Sequence, residues 1–473
     1  DDDDNGDDMI KICYLHLLFA SNLIIKMRLS SAFTIIRPQN RSLRSRLFGT
    51  LSNRLDGLDK PTVWHEFSPL AVKHGAINLG QGFPDWQPPD FAISAFQTAL
   101  EGNNNQYARS AAHMKLAKVL SNKYGKRLNR SIDPETMVAT ACGCTNALYC
   151  ALQGLLNPGD EVILIEPAFD IYHAQVAMAG GKAKFVPLRP NEGATSADEY
   201  YSLDMEELES AITEQTKVLI LNSPHNPTGK IFSREEMMGI SDICKRHEGL
   251  TVISDEVYEH IIFEGEHVSF ASLPDMWEKT LTLSSSGKTF SNTGWKVGWA
   301  VGPPHLVKAV AAVQQWVNFS IATPNQEAIA DCLVKAEEPY VHEGETYGSY
   351  YEYLSESYKE KRDLLISALL SANITPIVPN GGFFIIGDTS QLVCPESYLN
   401  EVTEASHVPM TRDWALSRFL TKEVGVTAIP PSAFYSPSTC HLAGNTLRFA
   451  YCKDNGTIKE AHERLAAYNF DDQ

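Results

Sequence analysis

The middle of the chain alternates two hydrophobic patterns. TNALYCALQGLL (145–156) spaces its apolar residues as a helix does and runs into the turn Asn157-Pro158-Gly159-Asp160. EVILIE (161–166) is instead a short, nearly continuous apolar run, the mark of a strand covered on both faces. KVLILNSP (217–224), TVISDEVY (251–258) and KTLTLSSS (279–286) repeat that run, and each turns polar where the apolar stretch stops. Strands alternating with helices predict an α/β layer architecture. Open α/β sheets bind ligands beyond the carboxyl ends of their strands, which makes these polar tips the candidate site.

The last hundred residues follow another plan. SESYKEKRDLLISALLSA (355–372) predicts a helix, and TPIVPNGGFFIIGD (375–388) a hairpin-like pair around Asn380-Gly381-Gly382. TLRFAYC (446–452) reads as a strand and TIKEAHERLAAYN (457–469) as a closing helix, together a smaller α+β domain. A chain of 473 residues exceeds what one hydrophobic core serves, so two domains are expected.

Composition changes the picture mainly at the N-terminus. Residues 1–8 hold six aspartates, and 12–25 form an apolar stretch of fourteen, too short for a comfortable membrane span. From Met27 to residue 55 the chain carries six arginines, five serines and no acid, the composition of a mitochondrial transit peptide. Residues 1–55 are therefore expected to be an extension that addresses the protein to the mitochondrial matrix, with the cytoplasm as the alternative. The net charge of −18 argues against nucleic acid as a partner, and no membrane association is expected. Nine scattered cysteines show no paired framework, and Cys142 and Cys144 are too close for the usual zinc spacing, so reduced thiols and no metal are expected.

The polar tips carry the chemistry. They are Asn222 and Asn226 in LNSPHNPTG, Asp255 and Tyr258 in ISDEVYEH, Ser285 and Lys288 in LSSSGKT, and later Arg448 in LRFAYCKD. This set is what pyridoxal phosphate requires. Its aldehyde needs a lysine amine to condense with, its ring nitrogen a carboxylate to stay protonated, and its phenolic oxygen donors such as tyrosine and asparagine. Upstream, Gly143-Cys144-Thr145 lies between a strand end and a helix start, where free N–H groups and the helix dipole suit a phosphate. Ser285 and Lys296 are placed to complete that pocket. His225, inside HNPTG, reads as a supporting residue rather than a base.

With these residues in order, the chain from about 56 to 468 resembles the fold-type I, class I/II aminotransferases, and within them the kynurenine aminotransferase, glutamine transaminase K or cysteine-S-conjugate β-lyase group. The motifs are NLGQGFPDWQPPDF (78–91), NQYARS (105–110), IEPAFDIY (165–172), SPHNPTGKIFSREE (223–236), SDEVYEH (254–260), SSGKTFSNTGWKVGW (285–299) and LRFAYCKD (447–454). The resemblance implies a large pyridoxal-phosphate domain at 101–345 with a mixed, mostly parallel seven-stranded sheet. It implies a small domain at 346–473 and a segment, 56–100, that packs with the small domain and the substrate pocket. It also implies that Phe169 stacks on the pyridine ring and that Arg448, helped by Asn226, grips the substrate α-carboxylate. Tyr107 is expected to reach the cofactor phosphate of the neighbouring subunit, which makes the active unit a homodimer. Trp64, Gly80 and Gly82, with the partner subunit's Phe319, are expected to line the side-chain pocket.

The expected reaction is a ping-pong transfer of the α-amino group from an amino acid to a 2-oxo acid, with Lys288, Asp255 and Tyr258 catalytic. An aromatic pocket (Trp64, Tyr172, Phe319) without a further arginine favours kynurenine, glutamine, phenylalanine or methionine over aspartate. β-Lyase chemistry on cysteine S-conjugates is the expected side activity. Thr145 and Ser320 depart from a tyrosine and a histidine found in some of the group. The alternatives are a dedicated carbon–sulfur lyase, an aminocyclopropane-carboxylate synthase relative, or an aromatic- or aspartate-type aminotransferase. A non-catalytic amino-acid sensor ranks low, because no helix-turn-helix pattern precedes the domain.

Overall fold

Each apolar run read from the sequence becomes a strand of one sheet in the computed structural model, which describes residues 51–191 and 193–468. In chain order the strands are β1 (Val138–Cys142), β2 (Glu161–Glu166), β3 (Lys182–Pro190), β4 (Tyr201–Leu203), β5 (Thr216–Asn222), β6 (Thr251–Asp255), β7 (Thr280–Ser285) and β8 (Val297–Val301). Their spatial order is β1-β8-β7-β6-β5-β2-β3-β4. Neighbours from β7 across to β3 run parallel, whereas β8 is antiparallel to both β1 and β7, and β4 is antiparallel to β3. The sheet is mixed and mostly parallel, as expected, but it has eight strands rather than seven. The additional one, β4, is a three-residue edge strand too short to leave an alternation in the sequence.

The continuous apolar runs are explained by burial on both faces. In β2, Val162 and Leu164 pack into one cluster with Leu148, Ala151 and Leu152 of helix Gly143–Leu155. Ile163 and Ile165 point the other way, toward Met237 and Ile240 of helix Arg234–Arg246. Successive strand residues face opposite sides, so a strand sandwiched between helix layers has no polar positions to spare. Each such buried aliphatic side chain contributes roughly 1.5–3 kcal/mol relative to exposure.

Three further strands form a separate antiparallel sheet: β9 (Thr375–Ile377), β10 (Phe384–Asp388) and β11 (Thr446–Ala450), in that spatial order. The hairpin is present, with Ile377 opposite Ile386. Its connection is a loop rather than a tight turn, because Asn380 Nδ2 is drawn off to Asp198 Oδ2 at 2.8 Å and the Gly381 N–H to Gly229 O at 3.2 Å. Helices Tyr350–Leu370 and Asn455–Ala467 flank this sheet. The N-terminal segment docks at its edge, where the Ala450 N–H donates to Leu79 O at 2.6 Å.

Gly57–Gln473 forms one compact unit. Ahead of it, the described residues hold a single 3-10 turn, Asn53–Leu55, with Ser52 as its cap. The apolar stretch 12–25 lies outside the described residues, as does the part of the expected transit peptide from Met27 to residue 50.

Candidate active site

Register brings the predicted residues together. Asn222 pairs with Asp255 across β5 and β6, Asp255 with Leu283 of β7, and Ser285 with Gly298 of β8, so the polar tips end on one line. They open onto a cavity of about 320 Å³. Fifteen of the residues singled out in the sequence line it: Trp64, Gly82, Gly143, Cys144, Thr145, Phe169, Tyr172, Asn222, Asn226, Asp255, Tyr258, Ser285, Lys288, Lys296 and Arg448. Gly80 stands just behind, reaching the site through its carbonyl. Tyr107 and Phe319 lie elsewhere on the surface, exposed, with their rings edge to face at 5.2 Å. His225 is buried outside the lining, its Nδ1 2.8 Å from Thr228 Oγ1, and burial pushes its imidazole down to about 3.

Asp255 has both oxygens engaged. Oδ2 accepts from the Tyr172 hydroxyl at 2.7 Å, and Oδ1 accepts from the Val257 N–H at 3.3 Å and the Cys144 thiol at 3.7 Å. Burial pushes this carboxyl up, while the three donors pull it back toward the charged form. Asn222 ties two strand tips together, donating to Asp255 O at 2.9 Å and accepting from the Asn226 N–H at 2.8 Å. Tyr258 is buried with its ring against Phe383 at 5.0 Å, and burial raises its phenol.

Lys288 follows β7 in the short helix Ser286–Thr289, and its Nζ donates to Gly82 O at 2.8 Å. Burial lowers its amine to about 8. Among the described residues no carboxylate pairs with it, so its electron pair becomes available near neutral pH.

Glycine shapes the opposite wall. Gly143 begins its helix at φ +78°, where other residues are strained, and a Cβ there would lie 3.1 Å from Lys296 Nζ. Gly298 lets β8 run close beneath, since a Cβ on it would fall 2.3 Å from the Gly143 carbonyl carbon and 2.5 Å from Cys144 N. Cys142, the N-cap, supplies no side-chain hydrogen bond, which leaves the first-turn N–H groups for a ligand.

Arg448, on β11, is 1% exposed. Its Nη2 donates to Gly80 O at 2.6 Å and its Nη1 to Asn226 Oδ1 at 3.1 Å, while the buried Nε has no partner among the described residues. Aromatic rings surround the guanidinium, with its Cζ 4.2 Å from the Phe384 centroid and 5.4 Å from that of Trp64. Burial lowers it to about 10. A buried cation whose hydrogen-bond acceptors are neutral is a site prepared for an anion, and a planar guanidinium matches a carboxylate.

The arrangement fits pyridoxal phosphate on the structure's own terms. A half-buried lysine with a lowered amine, a carboxylate fixed by three donors, and a glycine-opened helix start beside Lys296 are the three attachments that cofactor needs. Sequence patterns did not single out the hydroxyl bond from Tyr172 to Asp255 or the role of Asp170, whose Oδ2 accepts from Trp64 Nε1 at 2.7 Å. Both residues sit in IEPAFDIY, but no local pattern names partners 83 and 106 positions away.

Comparison with known proteins agrees. The family model for aminotransferase class I and II matches residues 74–465, and the chain belongs to that family, whose members depend on pyridoxal phosphate. It is an aminotransferase of fold type I. It is 45% identical over 415 residues to the kynurenine–oxoglutarate transaminase of Dictyostelium discoideum, covering 86% of this chain and 93% of that one. Against kynurenine–oxoglutarate transaminase 1 of Homo sapiens it is 40% identical over 421 residues, 88% of this chain and 97% of the relative. The crystal structure of Bna3p from Saccharomyces cerevisiae superposes with a TM-score of 0.82 at 34% identity, covering 89% of this chain and all of that one.

Proposed function

We propose that the chain transfers the α-amino group of large neutral or aromatic L-amino acids, kynurenine and glutamine among them, to a 2-oxo acid. One observation carries this reading. Among the described residues, Lys288, Lys296 and Arg448 are the only lysines and arginines lining the cavity. With Lys288 and Lys296 given to the cofactor, Arg448 alone remains for a carboxylate. The substrate side chain then meets Trp64, Phe169, Tyr172 and Phe384, walls suited to an uncharged or aromatic group. The relatives named above support the same choice.

Pyridoxal phosphate, when bound, supplies an aldehyde for the amino group and a ring that accepts the electron pair released at the substrate Cα. Lys288 is assigned its covalent attachment, and Asp255 the proton on its ring nitrogen. Tyr258 and Asn226 are assigned its phenolic oxygen, Phe169 its ring face. Ser285, Lys296 and the N–H groups of Gly143, Cys144 and Thr145 take the phosphate. Arg448 holds the substrate carboxylate and so orients the Cα–H bond toward Lys288 Nζ, which removes that proton and later returns one. An amine lowered to about 8 is suited to both directions. A donor with a leaving group on Cβ undergoes the same deprotonation by Lys288 and then loses that group as its Cβ–S bond breaks, so release of a thiol, pyruvate and ammonia from a cysteine S-conjugate is the expected side reaction.

The active unit in this reading is a homodimer. Tyr107 is 83% exposed and Phe319 50%, near Trp316 at 84%, an apolar surface that a second copy would cover. Light scattering of the purified protein tests this directly. The composition of residues 27–55 supports delivery to the mitochondrial matrix, which import of a fusion carrying that segment would test. For substrate choice, candidate donors added singly to the holoenzyme should change its visible absorbance fastest with aromatic and amide side chains. Fastest turnover of aspartate would overturn the reading.

A further inference from the structure

Asp170 immediately precedes helix Ile171–Met178, a position from which aspartate ordinarily caps the first turn. It makes no side-chain cap here. Its carboxylate is committed instead to a residue 106 positions away, with Oδ2 accepting from Trp64 Nε1 at 2.7 Å. The other oxygen, Oδ1, is buried and, among the described residues, has no hydrogen-bond partner. Leaving half a buried carboxylate unsatisfied is costly, and a cap would have used both oxygens more cheaply in water.

What this bond holds is a wall of the cavity. Trp64 lines it and lies over the Arg448 guanidinium, whereas Asp170 is not among the lining residues. The helix that carries Trp64, Val63–His74, is anchored without Asp170. Val63 and Phe67 pack with Trp414, Ile429 and Phe434, and Glu66 pairs with Arg418 and accepts from Trp414 Nε1 at 3.2 Å. The hydrogen bond to Asp170 is thus not needed to dock the helix. It fixes the rotation of one indole, the face against which a substrate side chain rests beside the carboxylate clamp.

We propose that Asp170 is a specificity-positioning residue, which orients Trp64 so that the cavity favours amino acids with large flat side chains over small ones. This rests on the aminotransferase reading above and adds a determinant outside the cavity lining. It predicts a loss in substrate affinity that is selective by side chain. In the D170A holoenzyme, KM for phenylalanine or kynurenine rises about tenfold with kcat within twofold, while KM for alanine changes little. D170N keeps an acceptor oxygen for the indole N–H and restores the aromatic preference. W64F lacks the donor and reproduces the D170A profile, and combining W64F with D170A adds nothing further.

Steady-state kinetics of the four variants with phenylalanine and alanine, alongside their thermal midpoints, decide the matter. An unchanged phenylalanine-to-alanine ratio of kcat/KM in D170A overturns the proposal, as does failure of D170N to rescue. If D170A fails to fold, W64F and D170N carry the same test. Wild-type protein that prefers aspartate would defeat the functional reading itself, an outcome separate from an unaltered ratio in an enzyme that does prefer aromatic donors.

Discussion

The two ends of the cavity are built differently. At the cofactor end, Asn222, Asp255 and Ser285 stand at the tips of adjacent strands of one sheet, with Lys288 three residues past its strand. At the substrate end, Arg448 reaches across 222 residues to Asn226 and 368 to Gly80, and Trp64 is tied to Asp170. Strand register sets the first geometry, and it follows from burying both faces of the sheet. Long-range hydrogen bonds to single atoms set the second. One end is placed by the core, the other by a handful of polar contacts. Substitutions at the two ends should therefore fail in different ways.

The sharpest break is at Lys288. K288A is expected to lose transamination by at least about a thousandfold in a coupled assay, since the base is removed outright. Protein still folded, with an unchanged thermal midpoint, would show that the end placed by the core tolerates loss of its reactive group. The same residue sharpens the comparison through pH. Burial puts the amine at about 8 against an ordinary 10.5, so the neutral, reactive form gains as pH rises through 8. Reconstitution of the apoprotein with pyridoxal phosphate should accelerate with a midpoint near that pH, and a midpoint close to 10.5 would deny that burial tunes the amine.

R448K attacks the other end. Lysine keeps the charge but cannot supply two parallel donors, and it leaves the Gly80 carbonyl or Asn226 poorly matched. A loss of about 3 kcal/mol, roughly a hundredfold in kcat/KM, is expected mainly through KM. The visible absorbance of bound cofactor should be unaltered. If R448K instead loses cofactor, the two ends are not separable as argued.

This division also explains what was legible in the sequence. β2, β5, β6 and β7 could be read because burial on both faces forces an unbroken apolar run, and the polar residues ending each run are the site itself. Edge strand β4 was missed because three residues cannot display a period. The hairpin at 375–388 was foreseen, but not its open loop, which depends on Asp198 and Gly229 far upstream. Arg448 was found through its motif and Gly80 was named with the pocket, whereas the hydrogen bond between them was not foreseen, because a backbone acceptor leaves no trace in residue type.

Y172F tests how firmly the cofactor end is held by side chains rather than by register. The Tyr172 hydroxyl is the foremost of the hydrogen bonds that oppose the burial raising Asp255. Without it the carboxyl rises further, more of it is protonated at a given pH, and the acid limb of kcat/KM moves to higher pH. A hydrogen bond to a charged group contributes about 1.5 kcal/mol or somewhat more, which corresponds to a displacement of roughly one pH unit. No displacement would mean that backbone placement alone governs Asp255.

C144A should act in the same direction and less. The thiol lies 3.7 Å from Asp255 Oδ1, and burial pushes it up, so it stays protonated and donates. Sulfur is a weak donor, and the oxygen it serves keeps the Val257 N–H at 3.3 Å, whereas Oδ2 loses the hydroxyl that serves it in Y172F. The acid limb in C144A is therefore expected to move by only a few tenths of a pH unit. Measured side by side, the two profiles rank the contacts on a single carboxylate. A displacement in C144A equal to that of Y172F would place control of Asp255 on the helix that begins at Gly143, and the cofactor end would then depend on one side-chain contact much as the substrate end does.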